Sequence, residues 1–94
     1  IPLMTLRGGG LEIVEIKIPR HSGVVGKRIK ELLLPQQSLV ILTIDEEGTP
    51  RIPSDDTVVR AGDEVVAVTR RESEDALRAV LTGTKPSTAT REGE

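Results

Sequence analysis

The sequence contains no cysteine, phenylalanine, tyrosine or tryptophan, and its one histidine is His21. Without cysteine the chain can form no disulfide bond, and we expect a cytoplasmic protein, because disulfides belong to oxidising compartments. Without aromatic rings there is no platform on which unpaired bases could stack, and a net charge of −2 provides no basic face for a nucleic acid. We therefore expect no nucleic-acid partner.

Long apolar runs are absent as well. No stretch approaches the roughly 20 apolar residues of a membrane-spanning helix, so we expect no direct insertion into a membrane. The sequence carries no secretory signal pattern. Its 94 residues suffice for one domain. Because the chain begins with Ile1 rather than a methionine, we expect it to be part of a longer protein.

Catalytic motifs are missing too. An enzyme needs an activated nucleophile, a paired acid and base, or a metal site, and the sequence contains no such pattern. The run Gly8–Gly10 is not a phosphate loop, because it lacks the following Lys-Ser/Thr and precedes a predicted strand. His21 has neither a cysteine nor a second histidine with which to share a metal, so we expect a solvated turn residue. We predict no catalytic residue, no metal ligand and no enzymatic activity.

Two acidic turns and one basic stretch are the clusters of like charge that could carry a binding site. The acidic turns are Asp45–Glu47 and Asp55–Asp56, which would offer oxygen ligands to a hard cation if they met. Their spacing matches no calcium loop, and acidic turns are usually solvated, so we favour solvated turns. The basic stretch contains Lys27, Arg28 and Lys30. An exposed helix face is the favoured interpretation, and an anion site beside free helix amides is the alternative.

The longest segment with a helical period runs from Ser22 to Pro35. Ser22 is a suitable N-cap, because its hydroxyl can accept a hydrogen bond from a free amide of the first turn. Pro35 would end the helix, since the residue before a proline is pushed out of the helical region. We attribute Gly26, in the first turn, to close packing against a strand. The apolar residues of the segment recur at helical spacing: Val25, Ile29, Leu32 and Leu33.

Four further segments have the patterns of strands. Two are continuous aliphatic runs, which are typical of strands covered on both faces. One of the others contains Pro50 and is followed by Pro53, so we place it at an edge, since proline cannot donate to a ladder. The predicted strands span residues 11–18, 38–45, 49–52 and 64–69.

A second helix follows the last strand. Thr69 and Glu72 form a capping box at its start, and Gly83 is a natural residue for its end. The element order is therefore β-α-β-β-β-α, which predicts an α+β fold with a small, mostly antiparallel sheet and two helices. The expected core residues are Ile16, Ile18, Ile29, Leu32, Val40, Leu42, Val66, Val68, Leu77 and Val80.

The chain divides into three parts by composition. Residues 1–10 end in three glycines and are interpreted as a linker or hinge after an absent upstream domain. Residues 11–83 contain every other predicted element and form the domain. Residues 84–94 are polar, contain Pro86 and lack periodicity, so we predict a disordered tail.

Taken together, the motifs from Leu11 to Leu81 resemble the C-terminal regulatory domain of TrkA-type potassium transport proteins, called the TrkA-C or RCK C-terminal domain. Each motif is weak alone, and their order and spacing carry the resemblance over about three quarters of the chain. An opening strand LEIVEIKI is followed by motifs that occur in family order: Ser22, Val25-Gly26-Lys27, Glu31-Leu32, Pro35, Pro53, Asp56-Thr57 and Gly62-Asp63.

The resemblance implies a cytoplasmic, non-enzymatic, ligand-sensing regulatory module that acts as a homodimer. Members regulate monovalent-cation channels, transporters or antiporters, so the implied partner is a membrane cation transporter or channel subunit, with the module peripheral to the inner face of the membrane. Most members follow a Rossmann-type nucleotide-binding domain, which would lie before Ile1. The leading hypothesis is regulation of a potassium uptake system. The alternatives are a module of a cation/proton antiporter or other ion transporter, and a ligand-free structural dimerisation domain.

Some members bind cyclic di-AMP in a groove between two subunits, which makes this nucleotide the candidate ligand. Those members place an arginine for the phosphates where this chain has Pro35, and a strand-start asparagine where it has Val40. Lys30 could replace the arginine as a point charge, and nothing obvious replaces the asparagine. By the same resemblance, the groove residues of this chain are Ile29, Lys30, Leu33, Leu34, Pro35, Gln36, Val40 and Ile41.

Overall fold

A five-stranded antiparallel sheet forms the centre of the structure, a computed structural model that describes residues 2–6 and 9–83. One α-helix, α1, follows the last strand, so the predicted α+β class with a small antiparallel sheet is confirmed. The strands lie in the order β1-β2-β5-β3-β4. Their bounds, with that of the helix, are β1 Pro2–Leu6, β2 Leu11–Lys17, β3 Leu39–Ile44, β4 Pro50–Arg51, β5 Glu64–Arg70 and α1 Glu74–Thr82.

Strand β5 occupies the middle of the sheet because its sequence is aliphatic on both faces. It pairs with β2 on one side and with β3 on the other. Val65 and Ala67 point to the face on which Leu77 and Leu81 of α1 pack, and all four side chains are fully buried. The buried cluster on this face contains Val14, Ile16, Ile18, Val24, Val40, Val59, Val65, Ala67, Leu77 and Leu81.

The predicted core residues Ile16, Ile18, Val40, Val66 and Leu77 are buried, and Val68 is only partly buried. The prediction missed Val65 and Ala67, which are the β5 residues that pack in the cluster with α1, whereas Val66 and Val68 lie on the opposite face of the sheet. Alternation could not decide this register, because both sets of side chains in β5 are aliphatic. Leu42 pairs with Val66 and shares its face. Three other predicted residues pack against the cluster while partly exposed: Ile29, Leu32 and Val80.

The predicted helix from Ser22 to Pro35 is replaced by a turn and one short 3₁₀ helix at Ile29–Glu31. Gly26 has φ +89°, which an α-helix excludes, and a Cβ there would meet nothing within 4 Å. The glycine therefore serves a left-handed backbone and not close packing. The amide of Gly26 donates to the carbonyl of Val59 at 2.8 Å, so the segment closes short turns of its own and also bonds to a distant loop.

Ser22 does not cap a helix that begins beside it. Its hydroxyl donates to the carbonyl of Leu81 at 2.7 Å, and the amide of Gly23 donates to the carbonyl of Gly83 at 2.9 Å. These two bonds satisfy carbonyls at the C-terminal end of α1, where a helix has no internal donors. The segment is thus held against the end of α1, and the buried side chain of Val24 anchors it in the core.

The second predicted helix exists but begins later than predicted. Thr69 is fully buried in β5, where its hydroxyl is 2.7 Å from the hydroxyl of Ser38. Strand pairing continues to Arg70, opposite Leu11, so Thr69 is not available as a cap. A 3₁₀ turn at Arg71–Ser73 follows, and α1 begins at Glu74 with Ser73 at the N-cap position.

The predictions for the two ends of the chain can be compared with the structure only in part. Residues Pro2–Leu6 of the predicted linker pair with β2 as strand β1, and the hinge role of residues 1–10 stays a prediction. Strand β4 is a two-residue edge strand, as its prolines predict. The predicted tail, residues 84–94, lies outside the described residues. Within residues 2–6 and 9–83, no helix is long and apolar enough to cross a membrane.

Candidate functional site

The eight residues predicted to line a ligand groove fall into an inward and an outward group. Ile29 and Leu34 pack against the core, and Val40 is 7% exposed within it. Pro35 is half-buried. The side chains of this inward group stabilise the domain and present little surface to a ligand in the single chain. The outward group, which solvent reaches, consists of Lys30, Leu33, Gln36 and Ile41.

Leu33 is the most exposed member of the outward group, with 84% of its surface accessible. It follows the 3₁₀ turn, whose last residue Glu31 accepts a hydrogen bond from the Arg28 amide at 2.7 Å. That backbone bond, aided by the Arg28 guanidinium, holds the pKa of the Glu31 carboxyl below its usual range. A ligand or partner surface is needed to bury Leu33, because no described residue does so.

Lys30 supplies the positive charge of the predicted groove. Its Nζ lies 3.1 Å from Oδ1 of Asp56, and Nη1 of Arg28 lies 3.7 Å from the same oxygen. All three side chains are about half or more exposed, so water screens these ion pairs and they hold Lys30 only weakly. Lys30 can therefore exchange Asp56 for an anionic ligand at small cost.

Leu39 is an exposed residue beside the groove that sequence reasoning missed. It begins β3, is 61% exposed, and neighbours Val40, whose side chain points to the opposite face. A bulge between Val40 and Leu42 leaves Ile41 37% exposed as well. The alternation along β3 was the available signal: once Val40 is assigned to the core, Leu39 must point away from it.

The sheet face opposite α1 carries a second set of aliphatic side chains. The strand register aligns Ile13, Val68 and Leu39 in one row across β2, β5 and β3. In the next row Val66 lies between Glu15 and Leu42. We call Ile13, Val68, Leu39 and Leu42 the open sheet face, and leave out Val66 because it is only 7% exposed. In residues 2–6 and 9–83, α1 is the only α-helix, and it packs on the other side.

The acidic turns do not form a metal site in the described part of the chain. No group of three His, Cys, Asp or Glu side chains there could hold a metal ion. Asp45 instead closes its own turn: its Oδ1 accepts from the amides of Thr49 and Glu47 at 3.0 and 2.9 Å. These amides, the Thr49 one most strongly, lower the pKa of the Asp45 carboxyl. His21 is exposed in a turn, as predicted.

Comparison with known families and proteins gives a consistent result. Residues 13–82 match the family described as the TrkA-C domain. A protein named "Trk system potassium uptake protein TrkA homolog" from Archaeoglobus fulgidus is 39% identical over 81 residues. Proteins of the same name from Pyrococcus horikoshii and Pyrococcus abyssi are 33% and 35% identical over 72 residues.

The chain corresponds to only part of these relatives. The matches cover 86% of this chain but 18% of the Archaeoglobus protein, and 77% of this chain but 32% of each Pyrococcus protein. A solved structure described as "Structure of RCK domain with cda" superposes with a TM-score of 0.65 at 19% identity. The superposition covers 73% of this chain and 96% of the solved chain. At 19% identity, the likeness establishes the fold alone.

Proposed function

Because the chain belongs to the TrkA-C domain family, we propose that it is the ligand-sensing regulatory module of a potassium uptake system. The observation that carries the proposal is the family match over residues 13–82, about three quarters of the chain. The three relatives named as Trk system potassium uptake proteins support potassium as the transported ion. In this proposal the module is cytoplasmic and non-enzymatic, follows a Rossmann-type nucleotide-binding domain, and acts on a membrane transporter or channel subunit.

The proposed mechanism is a change of dimer geometry. Two copies associate and leave a groove between them, and a ligand that prefers one arrangement of the copies shifts the population toward it. The membrane partner senses the shift as a difference in binding free energy between the two arrangements. The exposed aliphatic side chains Leu33, Leu39 and Ile41 support an assembly, because isolated domains rarely leave so many apolar side chains in water.

The proposed ligand is cyclic di-AMP, bound between the two copies. Lys30 from each copy would approach one phosphate of the dianionic ring, and Leu33 would cover an adenine face. The half-exposed state of Lys30 and the 84% exposure of Leu33 support these roles. The inward position of Val40 means that the strand start contributes backbone and packing, in place of the base contact that a polar side chain makes there.

Isothermal titration calorimetry of the chain with cyclic di-AMP tests whether this nucleotide binds. We expect Lys30→Ala to weaken binding about tenfold, since a charge-assisted contact to phosphate is lost. Leu33→Ala should weaken it as well. Lys27→Ala is the matched control, because Lys27 is an exposed lysine outside the predicted groove, and its affinity should equal that of the wild type. Binding that strengthens at lower salt would fit the phosphate contact.

Two outcomes would contradict the proposal that cyclic di-AMP is the ligand. One is the absence of heat at about a hundred micromolar cyclic di-AMP, a concentration at which even a weak complex populates. The other is equal affinity in the Lys30→Ala and Lys27→Ala variants. Small-angle scattering with and without ligand tests the mechanism separately: a dimer of unchanged dimensions at saturation would leave a structural dimerisation domain as the function.

A further inference from the structure

A cavity lined largely by charged and hydroxyl-bearing residues lies away from the proposed groove. It has a volume of about 390 Å³ and opens between the β3–β4 edge and the loop before β5. Thr43 of β3 pairs with Val65 across the sheet, so its side chain lies on the same face as α1. Arg51 of β4 pairs with Thr43, and Thr57 and Arg60 complete the polar lining from the loop. The size falls in the range of cavities that hold small molecules.

The two carboxylates that line this cavity are occupied by the fold. Asp63, which is 7% exposed, accepts from the backbone amide of Arg60 at 3.0 Å and so closes the turn before β5. Asp45 accepts from two amides of its own turn, and its second oxygen lies 3.4 Å from Nη2 of Arg51. Both acids therefore have structural partners, and neither needs a cation from solution.

The hydrogen-bond donors that line the cavity have fewer partners within the protein than the two carboxylates have. The guanidinium of Arg60 forms no ion pair with any residue of the described ranges, although Asp63 lies only three positions away. Thr57 Oγ1 accepts from the Ser54 amide at 2.9 Å, and its only other contact is the Ser54 hydroxyl at 3.4 Å, a long contact that its proton can exchange for a ligand oxygen. Arg51 keeps further N–H groups beyond the one that faces Asp45.

We propose that this cavity binds a small organic anion through its phosphate or carboxylate group, with Arg60 as the principal contact. A guanidinium presents two parallel N–H groups to two oxygens of such an anion, and the Thr57 hydroxyl donates a third hydrogen bond. Asp45 and Asp63 limit the net charge of the cavity, so a bare inorganic ion gains little. An organic anion gains additional contact with the apolar wall at Val58. The site is independent of the proposed cyclic di-AMP groove.

Amide chemical shifts of the 94-residue chain test the site. Ribose 5-phosphate and malate, which represent the phosphate and carboxylate sources, are titrated to about 10 mM at constant ionic strength, a range that detects weak complexes. We expect saturable shifts at the amides of Thr57, Val58 and Arg60 with at least one of the two probes. The probe with the tighter binding identifies which anionic group the cavity prefers.

Variants at two arginines decide whether the shifts report this cavity. Arg60→Gln should weaken binding about tenfold and Arg60→Lys less, because lysine keeps the charge and loses the fork of donors. Arg20→Gln is the matched control: Arg20 is exposed, lies outside the cavity and carries the same charge, so binding should be unchanged. Shifts that sodium chloride reproduces, that never saturate, or that persist equally in Arg60→Gln would overturn the proposal.

Discussion

At the scale of single residues, Gly26 decides the path of the segment from Ser22 to Pro35. Its φ of +89° belongs to a left-handed turn that glycine adopts readily and other residues do not. The amino-acid sequence reports only that a glycine is present, and not the sign of its φ. The apolar residues around it recur at helical spacing by coincidence: Val25 is exposed, while the side chain of Val24 enters the core.

Gly26→Ala separates the predicted helix from the observed turn by the sign of its effect. In a helix interior, alanine would raise the free energy of unfolding by about 1 kcal/mol over glycine. In the left-handed turn it should lower that free energy by about 1–2 kcal/mol, although a Cβ would meet no neighbour within 4 Å. Urea denaturation measures the difference.

Two companion variants support the interpretation of the Gly26 experiment. Gly26→Asn should cost less than Gly26→Ala, because asparagine tolerates the left-handed region better than alanine. Lys27→Ala, at the exposed neighbouring position, should change the free energy of unfolding by less than about 0.5 kcal/mol. A stabilising Gly26→Ala substitution would be inconsistent with the turn.

At the scale of elements, the strands from Leu11 onward were predicted correctly, whereas strand β1 was missed and the predicted first helix is absent. Strands β2, β3 and β5 lie within one or two residues of their predicted bounds, since their aliphatic runs and flanking turns carry the signal locally. The end of α1 depends on bonds from Ser22 and Gly23, which are about sixty positions away in the chain. No local pattern reveals such a partner.

Ser22→Ala tests whether the turn secures the end of α1. Ser22 is buried, and removal of its hydroxyl leaves the Leu81 carbonyl without that donor, so the free energy of unfolding should fall by about 1–3 kcal/mol. Ser54→Ala is the matched control, because Ser54 is exposed and its hydroxyl makes only a 3.4 Å contact with Thr57. Equal losses of stability in the two variants would contradict the role of Ser22.

The candidate site was predictable in part for a physical reason. Family resemblance located the segment from Ile29 to Ile41, and the structure separates its members by burial into an inward and an outward group. A family resemblance identifies corresponding positions along the chain but does not report which side chains are exposed. The predicted groove therefore included Val40, which is in the core, and omitted Leu39, which is exposed. Residues that a second copy would contribute to the groove cannot be identified from local sequence patterns, because they depend on how two chains associate.

At the scale of the whole molecule, α1 covers one face of the sheet and leaves the open sheet face available to a partner. A standard interface buries about 800 Å² on each partner, which is roughly an eighth of the 6055 Å² surface of this chain. The row of Ile13, Val68 and Leu39 supplies an apolar centre, with Glu15 in the next row as a polar neighbour. This combination of apolar centre and polar neighbour is typical of protein interfaces, and it supports the proposed homodimer.

Leu39→Glu tests whether the open sheet face joins the two copies. Leu39 is 61% exposed and lies opposite Val68, so a carboxylate there would be buried without a partner in the dimer, and association should weaken at least about tenfold. Ile52→Glu is the matched control: Ile52 follows the edge strand β4, is 86% exposed and should tolerate the charge. Sedimentation equilibrium measures both. A wild-type chain that stays monomeric at about a hundred micromolar, or equal dissociation of the two variants, would rule out this face as the interface.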